Sequence, residues 1–96
     1  MRDMQRIFRW DKEKAASNLQ KHGVRFEVAL RIFDDPHARF IQDRVVDGEY
    51  RWQGVGMVDG RLFLVAFTDD ETTGIVRIIS ARHLEPKERR YYEQHG

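Results

Sequence analysis

The sequence predicts an α+β domain in which helices pack on a mainly antiparallel sheet, in the order β-α-α-β-β-β-β-α. Three observations predict it. Two helical stretches come first, four strand-forming runs then follow in succession, and an Asp-Gly pair between the two strongest runs sets a tight antiparallel hairpin. With 96 residues, 41% of them apolar, the chain has material for one core, so residues 1–96 read as a single domain. No repeat, low-complexity stretch or linker interrupts them.

Each element has a local cause. Ile7 to Trp10 reads as a short strand, and Asp11 then offers a carboxylate to the first free amides of a helix running through Ala15, Ala16 and Leu19. Gly23 ends that helix by taking the left-handed conformation, with Val24 folding back onto it. Phe26, Ala29, Leu30 and Phe33 fall at i, i+3, i+4 and i+7, the apolar stripe of a second helix that Asp34, Asp35 and Pro36 stop. Ala38 to Gln42 is a weak strand; Tyr50 to Val58 and Arg61 to Thr68 are strong ones, joined by Asp59-Gly60. That turn fixes a register of Val58 opposite Arg61, Gly56 opposite Phe63, Gly54 opposite Val65 and Trp52 opposite Phe67, so Trp52, Phe63, Val65 and Phe67 share the core face. Gly54 and Gly56 leave room there for large neighbours or a packed helix; no phosphate-loop pattern surrounds them. Ile75 to Ala81 reads as a further strand, and with Val76 and Ile78 toward the core, Arg77 joins Arg51 and Gln53 on the open face. Pro86 opens a short terminal helix over Lys87 to Tyr92. The helices are expected on one face of the sheet.

Composition excludes several classes of function. There is no cysteine, hence no disulfide framework, iron–sulfur cluster or thiolate zinc site, and the four histidines lack the i, i+4 spacing of a helical metal pair, so neither metal nor cofactor is expected. Apolar runs fall far short of the roughly 18 residues of a membrane span, and Met1 to Trp10 is too short and charged for a signal peptide, which points to the cytoplasm. Lys plus Arg number 17 against 16 Asp plus Glu, a formal charge of +1 that by itself selects no partner. Its distribution says more: residues 1–33 carry eight basic and four acidic side chains, residues 34–74 four and nine, and residues 75–96 five and three. A fold that brings the two ends together offers a polyanion a positive face with an acidic rim; an ordinary solvated surface is the plainer alternative.

Phe8-Arg9-Trp10-Asp11, Lys14 with Asn18, Lys21-His22-Gly23-Val24, Phe26, Phe33-Asp34-Asp35-Pro36, Gly48-Glu49 with Arg51, and Ile78-Ile79-Ser80-Ala81-Arg82 followed by Glu88-Arg89 and Tyr92 occur in that order along nearly the whole chain. In them the sequence resembles the BrnT family of toxins, from bacterial type II toxin–antitoxin modules within the wider RelE/ParE-like group. The resemblance implies a RelE-like scaffold and a small ribonuclease that inhibits translation. It also implies a BrnA-like antitoxin with a ribbon-helix-helix domain, through which alone the pair would touch operator DNA. Arg25 and Leu84-Glu85-Pro86 depart from the family pattern at helix starts, where they alter caps more than chemistry.

Cleaving RNA without a metal requires a base for the 2′-hydroxyl proton, cations for charge building on the phosphate, and an acid for the leaving 5′-oxygen. Arginine suits the middle task, since its planar fork gives two parallel hydrogen bonds to phosphate oxygens and stays charged. Arg77 and Arg51 on neighbouring strands, with Arg82 at a strand end, are therefore expected to converge as the catalytic cations; pairing with carboxylates such as Glu49 is the structural alternative. His22 is the expected acid or base, although with Lys21 it also suits a helix C-terminus, where cations satisfy free carbonyls. Lys21, Gln53 and Tyr92 are the expected substrate contacts, while one of Tyr91 and Tyr92 is expected against the sheet. His83 is a second acid, His37 and His95 read as loop and tail residues, and Glu49 is either a base or part of a turn. Two other classes remain: a non-catalytic protein- or RNA-binding module, and a DNA gyrase poison.

Overall fold

Asp11 and Gly23 set the ends of the first helix in the structure, a computed structural model that describes residues 6–95. The first five residues of the charged Met1–Trp10 stretch and the side chain of His95 lie outside the described residues. After β1 (Ile7–Arg9), α1 (Lys12–His22) begins where the Asp11 carboxylate accepts the Lys14 amide at 3.3 Å, and it ends where Gly23, at φ 68°, donates its N–H to the Leu19 carbonyl. The second helix is shorter than its apolar spacing predicts. α2 covers Phe26–Ala29, and Leu30–Asp34 continues as a 3₁₀ turn. The tighter winding, about three residues per turn, lines up Phe26, Ala29 and Ile32, which are all buried, whereas Leu30 and Phe33 are half-buried. Ile32 thus takes the deepest position on the stripe in place of Phe33.

Four strands follow: β2 (Arg39–Val46), β3 (Glu49–Val58), β4 (Arg61–Asp70) and β5 (Ile75–His83), then α3 (Pro86–His95). They form one five-stranded sheet in the order β1-β5-β4-β3-β2. The β3–β4 register is the one the Asp59-Gly60 turn dictates, pairing Val58 with Arg61, Gly56 with Phe63, Gly54 with Val65 and Trp52 with Phe67. β2 runs past the expected Gln42 because Asp47-Gly48 makes a second tight turn. Asp47 (φ 51°) and Gly48 (φ 80°) adopt nearly the same positive angles as Asp59 and Gly60. β1 pairs parallel with β5, matching Phe8 to Val76 and Arg9 to Arg77, which makes the sheet mixed.

One face of the sheet carries Val58, Phe63, Val65, Phe67, Val76, Ile78 and Ala81, and α1, α2 and the 3₁₀ turn cover it. Phe33 and Phe40 stack there at 5.2 Å, each with its edge or face toward Phe67. The two expected gaps are filled as the glycines allow: a Cβ on Gly54 would stand 2.7 Å from the Phe40 ring, and one on Gly56 would stand 2.7 Å from the Ile32 Cβ. Beyond the end of β1, the backbone edge of β5 is completed by a side chain. Asn18 accepts the Ala81 N–H at 3.0 Å and donates to the Ala81 carbonyl at 2.8 Å and the Val24 carbonyl at 3.0 Å, joining α1, the turn after it and β5.

The helices do not all lie on one face. α3 crosses the opposite side, held by Glu88 against Arg82 and by the Tyr92 hydroxyl, which donates to the His37 carbonyl at 3.3 Å. Its sequence is polar apart from the two tyrosines, so it had no strong stripe to direct it to the core.

Candidate functional site

Alternation along the strands divides the open face into bands. Glu49 and Asp70 stand at one end; Arg51, Thr68 and Arg77 follow in register on β3, β4 and β5; Gln53, Ala66 and Ser80 come next; Val55, Leu64 and Arg82 form the far band. α3 shelters that far band. Between helix and sheet lies a cavity of about 420 Å³, walled by Arg39, Ile41, Val55, Leu64, Tyr91 and Tyr92. The arginine band is left open.

Arg51 and Arg77 flank Thr68, two strand spacings or about 10 Å apart at Cα. Among the described residues no carboxylate lies within ion-pair distance of either guanidinium. Glu49 is not paired with Arg51, and the turn beside it is made by Asp47-Gly48. Arg51 is half-buried, and its Nε is enclosed without a hydrogen-bond partner. A buried donor in that state costs roughly 1–3 kcal/mol.

Arg82 does not converge with the other two. Its register partner is Leu64, four residues or about 13 Å along β4 from Thr68. Its Nη1 and Nη2 donate to the two oxygens of Glu88 at 2.8 and 2.9 Å. Those bonds, with the Glu85 amide at 2.9 Å, hold the Glu88 carboxyl down to about 2, and they raise Arg82 in return. Arg82 is therefore spent on the α3 clasp.

His22 and Lys21 are exposed in the last turn of α1, in the layer that covers the core face, so the expected acid or base is on the other side of the sheet from Arg51 and Arg77. The His83 ring lies 4.7 Å from Phe63, away from the arginine band. Gln53 adjoins that band, with its amide donating to Asp43 at 3.2 Å. Tyr92, on α3, is half-buried; burial, followed by the nearby Asp35 charge, raises its hydroxyl, and Arg39 opposes them. Two further residues matter that the sequence marked only as part of the family resemblance or as a helix stop. Asn18 secures β5, and Asp35 accepts the His37 amide at 2.9 Å and the Met57 amide at 2.7 Å, bonds that keep its carboxyl below the ordinary range.

This arrangement can grip a phosphodiester: two unpaired guanidiniums and a hydroxyl share an open row, with a carboxylate two residues before Arg51 on the same face. Residues 10–88 match the family of the ribonuclease toxin, BrnT, of type II toxin–antitoxin systems. The chain belongs to the BrnT family. The match spans α1 to the first turn of α3 and includes Arg51, Arg77 and Arg82. As a BrnT-family member the chain is a ribonuclease toxin with an antitoxin for partner. It matches no curated protein individually. Among the described residues no helix is long and apolar enough to cross a membrane.

Proposed function

We propose that this toxin cuts RNA by attack of a ribose 2′-hydroxyl on the adjacent phosphate, leaving a 2′,3′-cyclic phosphate and a free 5′-hydroxyl, with Arg51 and Arg77 on the phosphate oxygens. The observation that carries this reading is the open Arg51–Thr68–Arg77 row with its unpaired guanidiniums. Charge grows on the non-bridging oxygens in the transition state, and fixed forks of donors aimed at them lower the barrier without needing a metal. Glu49, about 7 Å before Arg51 along the strand, takes the 2′-hydroxyl proton, and solvent water gives a proton to the leaving 5′-oxygen as the P–O5′ bond breaks. Gln53 contacts the substrate beside the row. Arg82 and Tyr92 hold α3, and Lys21 and His22 close α1 rather than the site.

On this reading the scaffold is RelE-like and the consequence of cleavage is arrest of translation in the cytoplasm. The partner is a BrnA-like antitoxin whose ribbon-helix-helix domain, not the toxin, touches operator DNA. Induced expression tests it. The native chain should arrest growth with cleaved RNA bearing cyclic phosphate ends, Arg77→Ala should abolish both while the soluble fold persists, and co-expressed antitoxin should relieve the arrest. Intact RNA from soluble native protein would instead indicate a non-catalytic binding module, and altered supercoiling with intact RNA would indicate a gyrase poison.

A further inference from the structure

The parallel pairing of β1 with β5 sets Arg9 beside Arg77 as its register partner. Phe8 faces the core with Val76, so Arg9 leaves the sheet on the open side, as Arg77 does. The row across four adjacent strands therefore reads Arg9, Arg77, Thr68, Arg51 and extends about 14 Å, three strand spacings. Like charges directly opposite one another on neighbouring strands destabilise a sheet. Nothing offsets them here. Among the described residues no carboxylate lies within ion-pair distance of Arg9, whose only hydrogen bond is a 3.3 Å contact from Nη1 to the carbonyl of its own neighbour Phe8. The acidic groups around it are committed elsewhere: Asp70, one band away on the same face, accepts the Thr72 and Thr73 amides, and Asp11 caps α1.

We propose that Arg9 is a substrate-binding residue, the outer phosphate contact of a single RNA strand that crosses the sheet perpendicular to its strands along the Arg9–Arg77–Thr68–Arg51 row. The inference rests on the ribonuclease reading and adds the path of the substrate. A strand laid along the row puts successive phosphates over successive guanidiniums, so the repulsion between Arg9 and Arg77 is relieved only when polyanion is bound. Arg9 lies one residue before the stretch that matches the family.

The probe is a labelled single-stranded oligonucleotide with 2′-O-methyl riboses, which cannot undergo the transesterification, titrated with the whole protein across a range of salt. Arg9→Ala should weaken binding roughly three- to tenfold and reduce the slope of log K against log salt by about 0.7, one phosphate contact. Its melting temperature should stay equal or rise, because a like-charge pair has been removed. Arg25→Ala, an exposed cation at the start of α2 with no side-chain capping bond, should change neither. Unchanged affinity and slope in Arg9→Ala, or a loss of affinity matched by a loss of melting temperature, would overturn the proposal. With unblocked RNA, Arg9→Ala should raise KM and leave kcat in place. Arg9-dependent binding by a native protein that cuts no RNA would keep the row and remove the ribonuclease reading; cleavage by Arg9→Ala indistinguishable from native would do the reverse.

Discussion

Replacing Asn18 by alanine removes a side chain that completes the backbone edge of β5. Three hydrogen bonds disappear, at 3.0, 2.8 and 3.0 Å, in a position only 5% exposed. Each is worth about 1 kcal/mol net, and the Ala81 N–H left without an acceptor adds a further desolvation cost, so the expected loss is about 3–4 kcal/mol. For a domain of this size that corresponds to a fall in Tm of roughly 15–25 °C. Urea unfolding followed by tryptophan fluorescence measures it, with an unchanged m showing that the two end states are the same. Asn18→Asp separates the terms further. It keeps an acceptor for the Ala81 N–H but turns an oxygen toward two carbonyls, so it should be worse than native at neutral pH and recover partly in acid, where the protonated carboxyl donates. A loss below about 1 kcal/mol for Asn18→Ala at constant m would refute the reasoning, because water would then be serving the β5 edge as well as the side chain does.

Gly56→Ala should cost about 1–3 kcal/mol, since the new Cβ would lie 2.7 Å from the Ile32 Cβ and 3.3 Å from the Ala38 Cβ, atoms fixed to backbone. Gly54→Ala should cost less, because the obstacle at 2.7 Å is the ring of Phe40, which is 41% exposed on the edge strand and can shift; the order of the two Tm values checks this. The α3 clasp should weaken in acid. The Glu88 carboxyl sits at about 2 against an ordinary 4.5, so its contribution is complete above about pH 5 and is lost as pH falls toward 2. Since that side chain is 38% exposed, solvent screening limits the effect to about 1 kcal/mol. Protection of the α3 amides, corrected for the intrinsic pH dependence of exchange, should fall over that window in the native protein, and Glu88→Gln should show the lower protection already at neutral pH. Arg51→Lys keeps the charge and loses the fork, so single-turnover RNA cleavage should drop about 10²-fold with Tm nearly constant.

How much of this was legible in the sequence differs between near and distant neighbours in the chain. The Asp59-Gly60 turn with its flanking alternation was enough for the register and for both faces of β3 and β4, including the placing of Arg51 on the open side, and the alternation of Val76 and Ile78 along β5 did the same for Arg77. The second hairpin was equally available in Asp47-Gly48, but the polar run Gln42-Asp43-Arg44, where the β2–β3 register shifts, hid the strand before it. The 3₁₀ tightening that exchanges Ile32 for Phe33 has a packing cause and no local signal.

The sequence by itself determined the hairpin, the helix ends at Asp11 and Gly23, and the side of the sheet each strand residue takes, because those depend on atoms a few residues apart. Only the tertiary structure decided that β1 lies parallel to β5 and so brings Arg9 beside Arg77, that α3 crosses the open face, and that Arg82 is taken by Glu88. Such pairings join distant segments that compete for the same sheet edge or face, and the competition is resolved by the area buried and the charges matched in the assembled fold.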